Sequence, residues 1–301
     1  MNLRSGKRWS GLSAVVVSAL LFGTLPLFGK YAQRDHLTIV TLLGLRFLIA
    51  TTVLWAVVVM ARQAAWPGAR CAVQLAALGL LFVGQSAAYF ISLTTTPAAV
   101  TAVLLYIYPV VVTAVGWIVF GEKVTSRTAA ALALATLGVI LVIGVTAGGR
   151  FNLGGILWGI AAGFLYAGYI VVGKRTLDDL TPLFSMAAIT ATAACVLVVY
   201  GTLTGSLRGF DAAGWAPILG AGLLPTVIGA TLFLFGLARV GATRAAVLST
   251  LEPVATGVLA AILLAEGLPA TRILGGAAVL LAAVLVVSGP LTRRTGVLAE
   301  H

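Results

Sequence analysis

Apolar residues run along this chain in blocks separated by short clusters of Arg, Lys, Asp, Pro and Gly, and each block approaches the roughly 20 residues that a helix needs to cross a bilayer core. Cut at those clusters, the sequence predicts ten spans, at 10–30, 37–60, 71–92, 98–119, 127–146, 153–173, 182–203, 214–237, 244–264 and 271–289. Gln85, Pro225 and several glycines interrupt the third and eighth blocks, whose edges are the least sharply marked. The expected fold class is an all-α integral membrane protein with no extramembrane segment long enough to fold as a separate domain.

Composition agrees. With 60% hydrophobic and 9% charged residues in 301, the chain cannot dress a water-soluble globule in a normal polar surface. The net charge of +11 comes from basic residues standing singly or in pairs between apolar blocks, so it speaks for topology rather than for a nucleic-acid partner. With the N-terminus inside, 13 Lys and Arg fall on the inner side, Lys30, Arg34, Arg150, Arg208 and Arg272 on the outer side, and Arg46 within the second span. Both termini are expected in the cytoplasm and the protein in the inner (cytoplasmic) membrane. Arg4, Lys7 and Arg8 ahead of an apolar run resemble a signal peptide, but without a convincing small-x-small site before Lys30 they read as the start of a retained first helix. Cys71 and Cys195 have no CxxC or Cys/His companion, so packing is their expected role, and neither a metal nor a cofactor is expected.

Sliding the sequence along itself by 144 residues places Gly29-Lys30 on Gly173-Lys174, Pro109-Val110 on Pro253-Val254 and Glu122 on Glu266. Ala102-Val103-Leu104 falls on Ala246-Val247-Leu248 and Ile118 on Ile262 at the same shift. Proline and glutamate coincidences are costly to explain by chance in a chain with ten prolines. Two units, 1–149 and 150–301, each hold five predicted spans. Five is odd, so the second unit crosses in the opposite sense, an inverted repeat of the kind that opens a midplane site alternately to either side.

Leu45-Arg46-Phe47-Leu48-Ile49-Ala50 and Leu251-Glu252-Pro253-Val254, followed in the two halves by Glu122 and Glu266, resemble motifs of the drug/metabolite transporter superfamily, specifically its EamA-type ten-helix members. The resemblance covers nearly the whole chain. It departs at Phe22-Gly23 and Tyr166-Ala167, where the family often has Trp-Gly or Trp-Ala, so the indole N–H is lost. It implies a carrier of small metabolites, frequently an exporter of amino acids.

Arg46 and Glu252 lie deep in their predicted spans, where burying a charge costs about 2.5–3.5 kcal/mol on insertion scales and calls for a partner or a task. Both are expected to face a central cavity, Arg46 pairing with Glu252 or taking a substrate carboxylate, and Glu252 binding a proton or an amine; the alternative is a structural pair. Ser249 and Thr256 lie on the same helical stripe as Glu252, and Tyr108 is its repeat counterpart. Gln85, Tyr89 and Ser92 share one helix face, as do Tyr166 and Tyr169, with Trp158 further toward the outer end; these are expected cavity linings. Glu122 and Glu266 are expected gates or solvated helix ends, Lys30 and Lys174 snorkelling ends, and Pro109 and Pro253 kink points. Gly155, Gly159 and Gly163 give the sixth span a smooth face for close packing.

An intramembrane enzyme of Ser/His type would need a buried His, and the two here are His36 in a loop and His301 at the end. Without an ATP-binding motif, transport would use an ion or substrate gradient. The expected partners are a small-molecule substrate and membrane lipid, with no nucleic acid and no obligate protein partner. Amino-acid transport, with export as the direction, is the first reading; efflux of cationic or aromatic drugs and a passive channel are the alternatives.

Overall fold

The computed structural model describes residues 3–63, 68–96, 101, 104–121, 124–143, 152–176, 180–264 and 269–288. Among these the regular structure is helical throughout. The chain runs as α1 (Leu3–Phe22), α2 (Leu25–Arg34), α3 (Ile39–Met60), α4 (Ala69–Thr95), α5 (Tyr108–Phe120), α6 (Ser126–Ile143), α7 (Leu153–Thr176) and α8 (Pro182–Leu203). A short 3-10 turn then leads into α9 (Trp215–Ala221), a π-helical stretch (Gly222–Ala230) and α10 (Thr231–Val240), followed by α11 (Ala242–Ser249), α12 (Glu252–Leu264) and α13 (Ala270–Ser288).

Seven of the described segments are long and apolar enough to cross a membrane, from Trp9–Gly29 to Ala242–Leu263, and three shorter apolar helices, Tyr108–Val119, Ser126–Val142 and Ile273–Ser288, accompany them. The protein is a multi-pass membrane protein. The predicted span 10–30 differs in being interrupted at Gly23–Thr24, where Pro26 has no N–H for the Phe22 carbonyl.

Local chemistry sets several helix starts. Thr38 caps α3, its side chain accepting from Thr41 N–H, and Thr181 caps α8 in the same way through Phe184 N–H, with Pro182 pre-set for the first turn. Between α10 and α11 the backbone turns at Gly241 with φ 87° and ψ 166°, a conformation nearly confined to glycine.

The 144-residue shift carries α5 onto α12 end for end, and α6 onto α13 to within a residue. Packing repeats the relationship by exchanging partners. α4 packs on α7, and its equivalent, the α9–α10 run, packs on α1, the equivalent of α7. α3 pairs with its own counterpart α8, and α6 with α13. Ile118 and Ile262, equivalent under the shift, are exposed by 73% and 72%, so both halves turn the same apolar face outward.

Glycines let these helices meet at backbone distance. A Cβ on Gly275 would lie 2.6 Å from the Gly138 carbonyl across α6 and α13, and one on Gly236 would lie 2.8 Å from the Gly11 carbonyl across α10 and α1. On α7, Gly155 meets Thr95 and Thr96, Gly159 meets Leu104, and Gly163 would place a Cβ 3.0 Å from the carbonyls of Leu104 and Leu105. That small-residue face brings α7 onto the chain just before α5.

Candidate functional site

Two helix breaks meet in the interior. Pro253 has no N–H to answer the Ser249 carbonyl, and ahead of it the backbone tightens, Thr250 N donating to Val247 O at 3.2 Å and Leu251 N to Leu248 O at 3.1 Å. Pro109 does the same to Leu105, and Ile107 N reaches back to Leu104 O, at 3.4 Å. The 144-residue shift places Tyr106–Ile107 on Thr250–Leu251, so the interruptions occupy equivalent positions in the two halves.

Glu252 is the first residue of α12 and is half-buried rather than sealed. At a helix N-terminus its negative charge meets the positive end of the backbone dipoles. The Tyr106 side chain hydrogen-bonds the Glu252 carboxyl group, and toward an ionised carboxylate it is the O–H donor. Tyr108, fully buried, donates its hydroxyl to the Ala246 carbonyl at 3.2 Å and also meets the Ser249 side chain. Arg46, Tyr89 and Tyr166 lie within electrostatic reach of the same carboxylate.

Arg46, 2% exposed, projects from the middle of α3. Its Nε donates to Thr226 Oγ1 at 2.6 Å, and its guanidinium carbon sits 4.9 Å from the centre of the Phe47 ring. Arg46 and Glu252 feel each other through space, but among the described residues no contact ion pair joins them. Each charge has a hydrogen-bond partner of its own, Tyr106 for Glu252 and Thr226 for Arg46. Under the repeat shift Arg46 falls on Thr190, whose hydroxyl turns back to Met186 O at 2.9 Å, and Tyr108 falls on Glu252.

A chain of aromatic rings connects the two charges. From Phe47 it passes to Phe82 (centroids 5.3 Å apart), Tyr169 (5.2 Å), Tyr166 (6.1 Å), Tyr108 (4.7 Å) and Tyr106 (5.9 Å). Phe233 of α10 lies 6.4 Å from both Tyr166 and Tyr169. Tyr166 and Tyr108 meet edge to face, an arrangement worth about 0.5–1.5 kcal/mol beyond the area buried.

Other residues singled out in the sequence are placed as follows. Gln85 accepts from the Ser86 hydroxyl at 3.4 Å, and Tyr89 packs edge-on against Phe90. Tyr169 is buried with its hydroxyl unpartnered. Ser249 donates back to Ala245 O at 2.9 Å. Ser92 departs from the cavity-lining expectation: it bonds Thr101 Oγ1 at 2.9 Å and donates to Gly155 O at 2.8 Å, fastening α4 to the start of α7. Thr256 donates to Gly23 O, and Trp158, 46% exposed, lies among the outward residues Leu157 and Phe164. Lys174 does not run free to the interface but donates to Ala238 O at 2.9 Å. Glu122, Glu266 and the Lys30 side chain lie outside the described residues.

Sequence reasoning passed over Tyr106 and Thr226. Among the described residues no three His, Cys, Asp or Glu lie close enough to hold a metal ion.

The model of the EamA-like transporter family matches the chain twice, over 9–144 and 153–288. A protein of Archaeoglobus fulgidus described as an uncharacterized transporter is 30% identical over 276 residues, 92% of this chain and 95% of that one. The uncharacterized transporter sll1319 of Synechocystis is 28% identical over 195 residues, 62% of this chain and 57% of that one. A protein crystal structure superposes with a TM-score of 0.82 at 19% identity, covering 93% of this chain and 98% of that chain, a likeness of fold.

Proposed function

The chain belongs to the EamA-like transporter family, and from that premise we propose that it is a secondary carrier of small zwitterionic metabolites, amino acids foremost, exporting them across the inner membrane. Ten spans, with the three shorter apolar helices completing the crossings, form two inverted halves, and both termini are cytoplasmic. The cavity lies where the α5 and α11–α12 breaks meet, and it opens to one side at a time.

The observation that carries this reading is the separate holding of opposite charges. Tyr106 engages Glu252, Thr226 engages Arg46, and no contact ion pair between the two is formed among the described residues. A contact pair would leave nothing for a ligand. Two charges held apart, with rings between them, match an ammonium at Glu252, a carboxylate at Arg46 and an apolar side chain against the aromatic wall. Glu252 also carries the coupling proton in this scheme. The aromatic chain favours a second reading, efflux of amphiphilic cations, because ring faces attract ammonium groups.

The test is counterflow in proteoliposomes preloaded with a mixed pool of amino acids, with exchange of isotope-labelled compounds read by mass spectrometry. Saturable exchange of an amino acid, abolished in Arg46→Ala and Glu252→Gln, is the expected result. Exchange of organic cations alone would select the second reading. Unsaturable flux would mean a channel, and full activity of Glu252→Gln with no response to an imposed pH gradient would remove the proton role.

A further inference from the structure

We propose that Thr226 is the positioning residue for Arg46, and that it leaves only the terminal edge of the guanidinium, Nη1 and Nη2, to receive a substrate carboxylate. The ligand part of this inference rests on the zwitterion reading; the positioning part stands on the geometry alone.

The device starts with Pro225. In an α-helix the Ala221 carbonyl would be answered by the N–H of residue 225, which as proline has none. The segment Gly222–Ala230 winds instead as a π-helix, whose spacing runs from i to i−5. That brings Thr226 to Ala221, and its hydroxyl donates to the Ala221 carbonyl at 2.8 Å. A hydroxyl has one proton, so with that proton committed Thr226 can only accept toward Arg46, and a guanidinium can only donate. The 2.6 Å contact from Nε is therefore fixed in direction as well as in place.

The surroundings support the same assignment. Thr226 is completely buried. Gly222, at the start of the π stretch, lies so close to α3 that a Cβ there would come 3.3 Å from the Arg46 carbonyl. The Phe47 ring lies beside the guanidinium. With Nε taken, the terminal nitrogens of this buried side chain have no hydrogen-bond partner among the described residues. An arginine held by Nε offers its end-on fork, a geometry that matches a carboxylate through two parallel bonds. The side-on edge, which uses Nε, is closed by Thr226.

Two measurements on the full-length protein separate the positioning role from the identity of the ligand. The first is 15N-detected water exchange of the Arg46 Nε–H in lipid nanodiscs, assigned by its loss in Arg46→Lys. Wild type and Thr226→Ser are expected to protect it. Thr226→Val, and Pro225→Ala, which restores the α-helical donor while keeping the hydroxyl, are expected to exchange at least about tenfold faster, as befits a lost bond to a charged group. The second is counterflow with an isotope-labelled pool of amino acids and the matching pool of their decarboxylated amines. Thr226→Val is expected to raise KM for amino acids by about tenfold or more while leaving any amine exchange unchanged, with Thr226→Ser restoring the wild-type value. Unchanged Nε–H protection in both Thr226→Val and Pro225→Ala would overturn the proposal, as would an unchanged KM in an exchanging Thr226→Val. Absence of any amino-acid exchange by wild type would instead defeat the zwitterion reading, and the Nε–H measurement would then decide the role of Thr226 by itself.

Discussion

The hydroxyl of Thr256 on α12 donates at 3.0 Å to the carbonyl of Gly23, at the point where the first helix is interrupted. In a continuous helix that carbonyl would serve Leu27, but Leu27 N turns instead to Thr24 O at 3.1 Å. Thr256 thus answers a backbone group released by the break and fastens α1 to the helix that begins with Glu252.

This contact makes Gly23 sensitive. A Cβ there would meet the Ala255 Cβ at 2.7 Å and the Glu252 carbonyl at 3.1 Å. Gly23→Ala is expected to cost about 1–3 kcal/mol through overpacking, seen as a lower midpoint in thermal denaturation of the purified protein, and to slow counterflow by displacing Glu252. Thr256→Val should cost about 1 kcal/mol, the value of one hydrogen bond.

Tyr106 and Tyr108 stand two residues apart and should respond differently. Tyr106→Phe removes the O–H given to Glu252, and a bond to a charged group is worth about 1.5–3 kcal/mol, so counterflow KM should change by about tenfold or more. Tyr108→Phe gives up a bond to the uncharged Ala246 carbonyl, and the main expected effect is a loss of about 1 kcal/mol in thermal stability.

The glycine face of α7 can be tested against a control on α4. Gly163→Ala would press a methyl against the Leu104 and Leu105 carbonyls and the Ile107 side chain, and should destabilise by about 1–3 kcal/mol. At Gly84 the nearest atom to an added Cβ is Leu165 Cδ1 at 3.6 Å, an ordinary contact. Gly84→Ala should leave stability unchanged or raise it by about 0.5–1 kcal/mol, the helical preference of alanine over glycine. Thermal denaturation of both variants, side by side, reads the difference.

Arg127 joins the start of α6 to the end of α13, its Nε donating to Leu285 O at 3.0 Å and its terminal nitrogen to the Ser288 hydroxyl. Being exposed, the link should be worth about 1 kcal/mol or less. Arg127→Ala is expected to lower the thermal midpoint slightly, while Ser288→Ala, which keeps the Leu285 contact, should lower it less.

Much of the fold is legible in the sequence because the repeat is. The shift that aligns Pro109 with Pro253 also aligns the two helix breaks, and proline is the physical cause of both. Arg46 and Glu252 stand out because charges in an apolar span need an explanation. Tyr106 was hidden by helical periodicity, which sets residues two apart on different faces; the break at Tyr106–Ile107 undoes that rule and turns Tyr106 toward Glu252. Thr226 was hidden for a related reason. Pro225 reads as an interruption, but which side chain a π-helical stretch delivers to α3 depends on winding that α-helical spacing does not describe. Ser92 misled because it shares a face with Gln85 and Tyr89, and nothing in a single helix shows that Gly155 would bring another backbone up to its hydroxyl.

The repeat-equivalent positions that differ have a further consequence. A chamber whose halves were identical would look the same to a guest after a half-turn, and a guest could occupy it head-first or tail-first with equal energy. Arg46 opposite Thr190 and Glu252 opposite Tyr108 remove that degeneracy. On the zwitterion reading proposed above, a dipolar guest would have one energetically preferred heading, cationic end toward α12 and anionic end toward α3. The repeat supplies the symmetric frame, and the differences at these two pairs of positions break it.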